Sequence, residues 1–206
     1  MLFYKSISSS TLELLKNIQK QDIFKNLRLV GGTSLALQIG HRTSIDIDLF
    51  GDLTNKDKLD INKVLSKLGD LKSLSSTNNI NIYTLNDIKI DIVNYHYPWL
   101  KDELIIDQLR LASIEDISAM KLAAITGRGS KKDFIDLYFI LQKYTLGKII
   151  EFYQEKYADG SVFLVLKSLS YFDDADLEVM PKMFDKISWE EIKSTIIIKL
   201  NEYLNK

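Results

Sequence analysis

Asp46 and Asp48 stand two residues apart in a stretch, 44–50, where Ile45, Ile47 and Leu49 alternate with them. Alternation of this kind predicts a strand, and a strand sets residues i and i+2 on the same side. Two carboxylates held side by side repel, and each raises the pKa of the other unless a cation lies between them. Magnesium is a fitting cation, because it takes hard oxygen ligands and accepts substrate phosphates in its shell. Asp91, in Ile90-Asp91-Ile92, repeats the pattern of an acid inside an apolar strand. If that strand lies beside 44–50, three carboxylates converge, and a two-metal phosphoryl or nucleotidyl transfer site needs such a cluster. The same alternation describes any half-solvated strand, so for the pair both readings stand, and Asp91 alone reads as a solvated position.

Gly31-Gly32 weighs on the side of chemistry. Residues 27–30 predict a short apolar strand that runs into the double glycine, and 33–39 predict a brief helix stopped by Gly40. Glycines let the backbone approach a bulky anion, and a helix N-terminus adds free N–H donors and partial positive charge. Thr33 or Ser34 could cap that helix and offer a hydroxyl to a phosphate. By itself a Gly-Gly is an ordinary turn. A phosphate cradle followed so soon by a carboxylate pair is harder to dismiss, because a nucleoside triphosphate and its metal would need both.

The elements that must position these groups fall into two halves. Ser8–Ser10 cap an amphipathic helix carrying Leu12, Leu14, Leu15 and Ile18, and 56–68 predict another. Strands are expected at 80–85 and 88–95, joined at Asn86-Asp87, with an edge strand over 105–111. From Ile114 onward the apolar period is helical, with breaks near 127–130, 159–160 and 173–188. The expected architecture is therefore α/β (α+β): a mixed sheet with flanking helices in a lobe over 1–113, then a helical lobe over 114–206. The expected active site lies in the cleft between them.

Composition narrows the function classes. The 206 residues carry 27 Lys+Arg against 28 Asp+Glu, a net charge of −1, so indiscriminate coating of nucleic acid is not expected. There is no cysteine, which removes thiolate nucleophiles, disulfides and cysteine metal sites and fits a cytoplasmic protein. No apolar run reaches the ~20 residues of a membrane span, so the expectation is a soluble protein with no membrane partner. His41 and His96 are the only histidines and lack ligand spacing for zinc. From Ile117 to Lys132 four basic residues, Lys121, Arg128, Lys131 and Lys132, occur with no acid. This segment reads as a patch that neutralises phosphate, or as an ordinary helix end whose basic residues meet the C-terminal dipole. Asp133 and Asp136 could pair with Arg128 or Lys132 and pin two helices together. Tyr95, Tyr97, Pro98 and Trp99 read as a core or inter-lobe plug that could also stack a base. Asp173, Asp174, Asp176 and Glu178 read as a solvated turn.

The run from Gly31-Gly32-Thr33-Ser34 through His41-Arg42-Thr43-Ser44-Ile45-Asp46-Ile47-Asp48-Leu49-Phe50 resembles the signature of the AbiEii-like nucleotidyltransferases. These belong to the DNA polymerase β-type nucleotidyltransferase superfamily and include toxins of bacterial toxin–antitoxin and abortive-infection systems. The resemblance continues at Lys121-Leu122-Ala123-Ala124-Ile125, at Arg128 through Tyr138, at Tyr171-Phe172-Asp173-Asp174-Ala175 and at Trp189. It implies that Gly31, Gly32 and Thr33 hold a triphosphate and that Asp46 and Asp48 bind Mg2+ or Mn2+. It further implies that Asp91 is the third acid, which can activate the incoming hydroxyl. Lys121 matches the lysine that contacts phosphates, Asp136 the aspartate of the helical half, and Arg42 the basic residue before the acid pair.

The expected function is metal-dependent transfer of a nucleoside monophosphate from an NTP to a hydroxyl, on RNA such as a tRNA end or on protein. A toxin role with a cognate antitoxin follows from the resemblance. Two rivals stand beside it: a non-catalytic nucleotide- or protein-binding module of the same fold, and a metal-dependent nuclease. The glycine cradle disfavours the nuclease, which has no triphosphate to hold.

Overall fold

The computed structural model describes residues 1–54 and 56–205. Contacts divide the chain into two compact units, Met1–His96 with Glu103–Ala112, and Tyr97–Asp102 with Ser113–Lys206. Among the described residues, no helix is long and apolar enough to cross a membrane.

The first unit is built on one mixed sheet. Its elements are α1 (Ser9–Gln19), β1 (Leu27–Leu29), α2 (Gly31–Ile39), β2 (Ile47–Gly51), α3 (Lys58–Leu65), β3 (Leu71–Ser76), β4 (Ile80–Leu85), β5 (Ile88–Asn94), β6 (Leu104–Ile106) and β7 (Leu109–Leu111). The seven strands lie in the order β3-β4-β5-β2-β1-β7-β6. β2 runs parallel to β5 and antiparallel to β1, so its two neighbours fix it from both sides. Ile47 and Leu49 of β2, Ile90 and Ile92 of β5 and Tyr83 and Leu85 of β4 are fully buried, in one core with Leu14, Leu15 and Ile18 of α1 and Ile61 and Leu65 of α3. Each such side chain contributes roughly 1.5–3 kcal/mol of burial. The strand period therefore turns Asp48 and Asp91 to the opposite face.

Several elements depart from the sequence-based expectation. The strand predicted over 44–50 begins only at Ile47, and Ile45 is 63% exposed. The alternation continues upstream, but pairing with β5 starts at Ile47↔Ile90, and a strand needs a partner more than a pattern. α2 starts at Gly31, so both glycines belong to the helix. The single edge strand predicted over 105–111 is a hairpin of β6 and β7, folded at Asp107 and Gln108, both with positive φ. β3 was not foreseen. Asn86 and Asp87 turn between β4 and β5 with φ of 52° and 62°, the left-handed pair of a tight hairpin.

The second unit is helical: α4 (Ile114–Gly127), α5 (Lys131–Leu141), α6 (Leu146–Lys156), α7 (Val162–Ser168), α8 (Asp173–Asp176) and α9 (Trp189–Leu204). Ser113, Thr145, Ser161 and Ser188 each accept a backbone N–H at the start of a helix, which explains why these helices begin where they do. Phe134 of α5 packs against Phe172 (4.8 Å between centroids) and Trp189 (6.1 Å), giving the Tyr171–Ala175 segment and Trp189 a structural purpose. The short stretch 97–102 belongs here for a specific reason. The Asp116 carboxylate accepts the backbone N–H groups of Leu100 and Lys101, and the buried Lys156 ammonium bonds both Asp116 (2.7 Å) and the Pro98 carbonyl (2.7 Å). Lys156 also lies over the Trp99 ring at 4.5 Å. The expected aromatic plug is thus divided: Tyr95 packs at a tilt against Phe50 in the first unit, and Tyr97 edge-on against Tyr157 in the second.

Candidate functional site

In the first unit, sheet register sets the acids. Asp48 of β2 pairs directly with Asp91 of β5, so the two carboxylates are neighbours on one face. Asp91 gives one oxygen, Oδ2, to Lys89 at 2.8 Å, while its Oδ1 is buried with no hydrogen-bond partner. A buried oxygen left in that state is costly and marks a place where a cation would be accepted. Asp46 lies one residue before β2, outside the ladder. Among the described residues, no three or more Asp, Glu or His side chains are grouped to hold a metal ion, so the expected three-carboxylate convergence is here the Asp48/Asp91 pair with Asp46 beside its strand.

The glycine cradle faces the same carboxylate. Gly31 has φ of +66°, and a Cβ placed on it would run into the Asp48 carboxyl group, whose Cγ would lie 3.3 Å away. The Val30 N–H donates to the Asp48 carbonyl at 2.9 Å, which locks the helix entrance to β2. α2 has no side-chain cap at its N-terminus, so its first N–H groups are not answered by a capping hydroxyl. An orphaned carboxylate oxygen, an adjacent second carboxylate and an uncapped glycine-lined helix start fit a divalent cation bearing a phosphate. Gly31→Ala is expected to cost about 1–3 kcal/mol of stability, from the left-handed backbone and the clash, and to weaken NTP binding. Chemical denaturation and nucleotide titration check the two effects separately.

Three further residues expected to bind nucleotide are buried and hydrogen-bonded within the chain. Thr33 is 1% exposed, and its hydroxyl meets the Asp46 carbonyl and the Ser44 hydroxyl (2.8 Å). Ser34 is fully buried and accepts from Gln38 Nε2 at 3.1 Å. Neither hydroxyl caps α2. Arg42 is 2% exposed and donates to the Thr43 carbonyl at 3.0 Å.

In the second unit, Lys121 is 4% exposed, with its ammonium 2.9 Å from Asp133 and 2.6 Å from Asp136. Arg128 reaches Asp133 through Nε (2.8 Å) and Nη2 (3.1 Å), and the Ser130 hydroxyl donates to the same carboxylate at 2.8 Å. Burial pushes the Asp133 pKa up, but the Lys121 charge and then the Arg128 hydrogen bond outweigh it and hold the group at about 2. Lys131 is also buried, donating its backbone N–H to Glu178 at 3.0 Å and lying over the Trp189 ring at 5.1 Å. Within the basic segment Lys121 and Lys131 are thus buried in contacts that join the helices, while Arg128, 69% exposed at its side chain, and Lys132 stay open to solvent. Asp176, read from sequence as part of a solvated turn, accepts from Lys193 at 3.0 Å and from the Trp189 indole. Lys89 was not among the expected site residues, although its i, i+2 spacing to Asp91 on a strand places the two on one face.

A family model described as Nucleotidyl transferase AbiEii toxin, Type IV TA system, matches residues 13–202. The chain belongs to this family. It is a nucleotidyltransferase by that membership, with the mixed α/β fold of the group. An uncharacterized protein of Aquifex aeolicus (strain VF5) is 32% identical over 205 residues, covering 97% of this chain and 98% of that protein. Among solved structures, MenT4, a nucleotidyltransferase toxin of Mycobacterium tuberculosis H37Rv, is similar with a TM-score of 0.60 at 14% identity, over 94% of this chain and 82% of that one. JHP933 from Helicobacter pylori gives 0.58 at 20% identity, over 96% and 93%. The antibiotic-resistance factor ANT(2'')-Ia gives 0.56 at 15% identity, over 73% and 94%. At these identities the structural likenesses establish the fold, and the family match carries the activity class.

Proposed function

We propose that this AbiEii-family nucleotidyltransferase moves a nucleoside monophosphate from an NTP to a hydroxyl acceptor on RNA, as the toxin of a toxin–antitoxin or phage-defence pair with a cognate antitoxin. The observation that carries the reading is the Asp48/Asp91 pair, set in register beside a glycine-lined helix start. Asp48 and Asp91, joined by Asp46, would hold Mg2+ or Mn2+. When bound, such a cation supplies charge neutralisation at the α-phosphate and the departing pyrophosphate. The backbone N–H groups at Gly31 and Gly32 receive the triphosphate, where the missing Cβ atoms leave room. Asp91 Oδ1, which has no other hydrogen bond, takes the proton of the incoming hydroxyl. The acceptor oxygen then forms a bond to the α-phosphorus as the bond to the pyrophosphate oxygen breaks. By resemblance Lys121 is the lysine that contacts phosphates and Asp136 the aspartate of the helical half, and Asp133 and Asp136 fix where the Lys121 ammonium sits.

Incubation of the protein with each labelled NTP, Mg2+ and total RNA should transfer label to RNA and release pyrophosphate. Absence of transfer to RNA, protein or small alcohols would sink the reading. Degradation of RNA without NTP would instead favour the nuclease.

A further inference from the structure

Asp48 and Asp91 are fixed by the sheet, but Asp46 is not. It precedes the first ladder pair of β2, Ile47↔Ile90, and no strand neighbour holds it. Its backbone is instead reached from α2. The Thr33 hydroxyl, buried at 1% exposure, bridges the Asp46 carbonyl, which accepts, and the Ser44 hydroxyl. A second tie approaches from the N-terminal residues. The Ser44 N–H donates to the Ser6 carbonyl at 2.8 Å, and the fully buried Ser6 hydroxyl donates to the Ala36 carbonyl of α2 at 2.9 Å. The Phe3 N–H reaches the Leu37 carbonyl at 2.7 Å, and the Phe3 ring lies against Gly40, where a Cβ would collide with it. The loop 43–46 is thereby clasped to the same helix whose first turn carries the glycines.

We infer that Thr33 is a positioning residue that sets Asp46 through this clasp, and not a ligand of the triphosphate. The inference rests on the proposed function, in which the Asp46 carboxylate serves the divalent cation. Its logic is geometric. A side chain springing from an unpaired loop is only as well placed as its backbone, and one buried hydroxyl between helix and loop removes that freedom. Ser6 and Ser44 support the same loop from its other end. Supporting hydrogen bonds of this kind typically change metal affinity by 10–100-fold when lost.

The test uses the full chain with Thr33→Val, which keeps shape and removes the hydroxyl, and Thr33→Ser, which restores it. Thr33→Val should speed amide hydrogen exchange at residues 44–46 without metal and weaken Mn2+ binding by about tenfold. The KM for NTP at saturating Mn2+ should stay within about twofold of wild type while kcat falls, because phosphate contacts are untouched. Thr33→Ser should recover both exchange protection and Mn2+ affinity. Ser44→Ala gives the same directions at smaller size and serves if Thr33→Val does not fold. A rise in KM for NTP with Mn2+ affinity unchanged would make Thr33 a phosphate ligand and overturn the inference, as would unchanged exchange at 44–46. Failure of the underlying reading is seen in wild type alone, as absence of both label transfer and Mn2+ binding. Failure of this inference is seen only in the comparison of variants.

Discussion

Replacing Asp48 with Asn is expected to lower nucleotidyl transfer on the order of 10³-fold while the protein stays folded. The substitution keeps shape and volume, so the close fit against Gly31, which leaves no room for a Cβ, is preserved. What changes is charge. Asp48 and Asp91 are register neighbours, and under the proposed function they would together supply the carboxylates that a divalent cation needs. An amide oxygen is a weaker ligand, and the loss is expected in kcat at saturating NTP more than in KM. Ile47 and Leu49 on the core face are untouched, so the melting temperature should remain within a few degrees of wild type. Steady-state transfer of labelled nucleotide over a Mg2+ series, beside a thermal melt, reads both quantities. Undiminished transfer by Asp48→Asn would remove the carboxylate pair from the chemistry.

The parts of the fold legible in the sequence were those where burial imposes a period. Ile47 and Leu49, Ile90 and Ile92, and Leu14, Leu15 and Ile18 all pack into the core that their spacing predicts. Elements that bury little left no such trace. β3, Leu-Lys-Ser-Leu-Ser-Ser at the sheet edge, is exposed along almost its whole length, so nothing selected an apolar alternation there. The β6–β7 hairpin turns at Asp107-Gln108 with no glycine to announce it. Ile45 misled for the opposite reason, since it prolongs the pattern beyond Ile47, where pairing with β5 begins.

The candidate site divides along the same line. The nearness of Gly31, Asp48 and Asp91 was legible because it depends on backbone shape and strand register, which are local or nearly so. The neighbours of the Thr33 hydroxyl were not, because a threonine after two glycines can face a phosphate or a loop, and only the fold brings Ser44 and the Asp46 carbonyl to it. The partners of Lys121 were hidden too. They come from the next helix, and only the packing of α4 on α5 decides whether a lysine faces solvent or two aspartates.

That ion cluster carries the second large effect. Asp133→Ala is expected to destabilise the protein by about 3–5 kcal/mol, because it removes one partner from a buried network. The fully buried Asp133 carboxylate receives Lys121, Arg128 and Ser130 together. Without it the buried Lys121 keeps only Asp136 of the pair that holds it, and the Ser130 hydroxyl at the entrance of α5 loses its acceptor. The wild type should also reveal the group through pH. Asp133 is held at about 2, below its ordinary 3.8, so the folded form binds its proton less readily than the unfolded one. The stabilisation is then fully present above about pH 5, declines as the pH falls through the unfolded value, and is gone below about pH 2. The depressed pKa is equivalent to roughly 2 kcal/mol over that window. Urea denaturation at successive pH values should give wild type a steeper loss between pH 5 and 2 than Asp133→Asn, whose side chain cannot titrate. Equal slopes would mean that other carboxylates carry the acid sensitivity. A stability loss in Asp133→Ala with equal slopes would assign the cluster's value to packing and hydrogen bonds instead of charge. The contrast with Asp48 separates the two kinds of acid in this chain: one whose removal should silence the chemistry with little change in stability, and one whose removal should loosen the helical unit that carries Lys121.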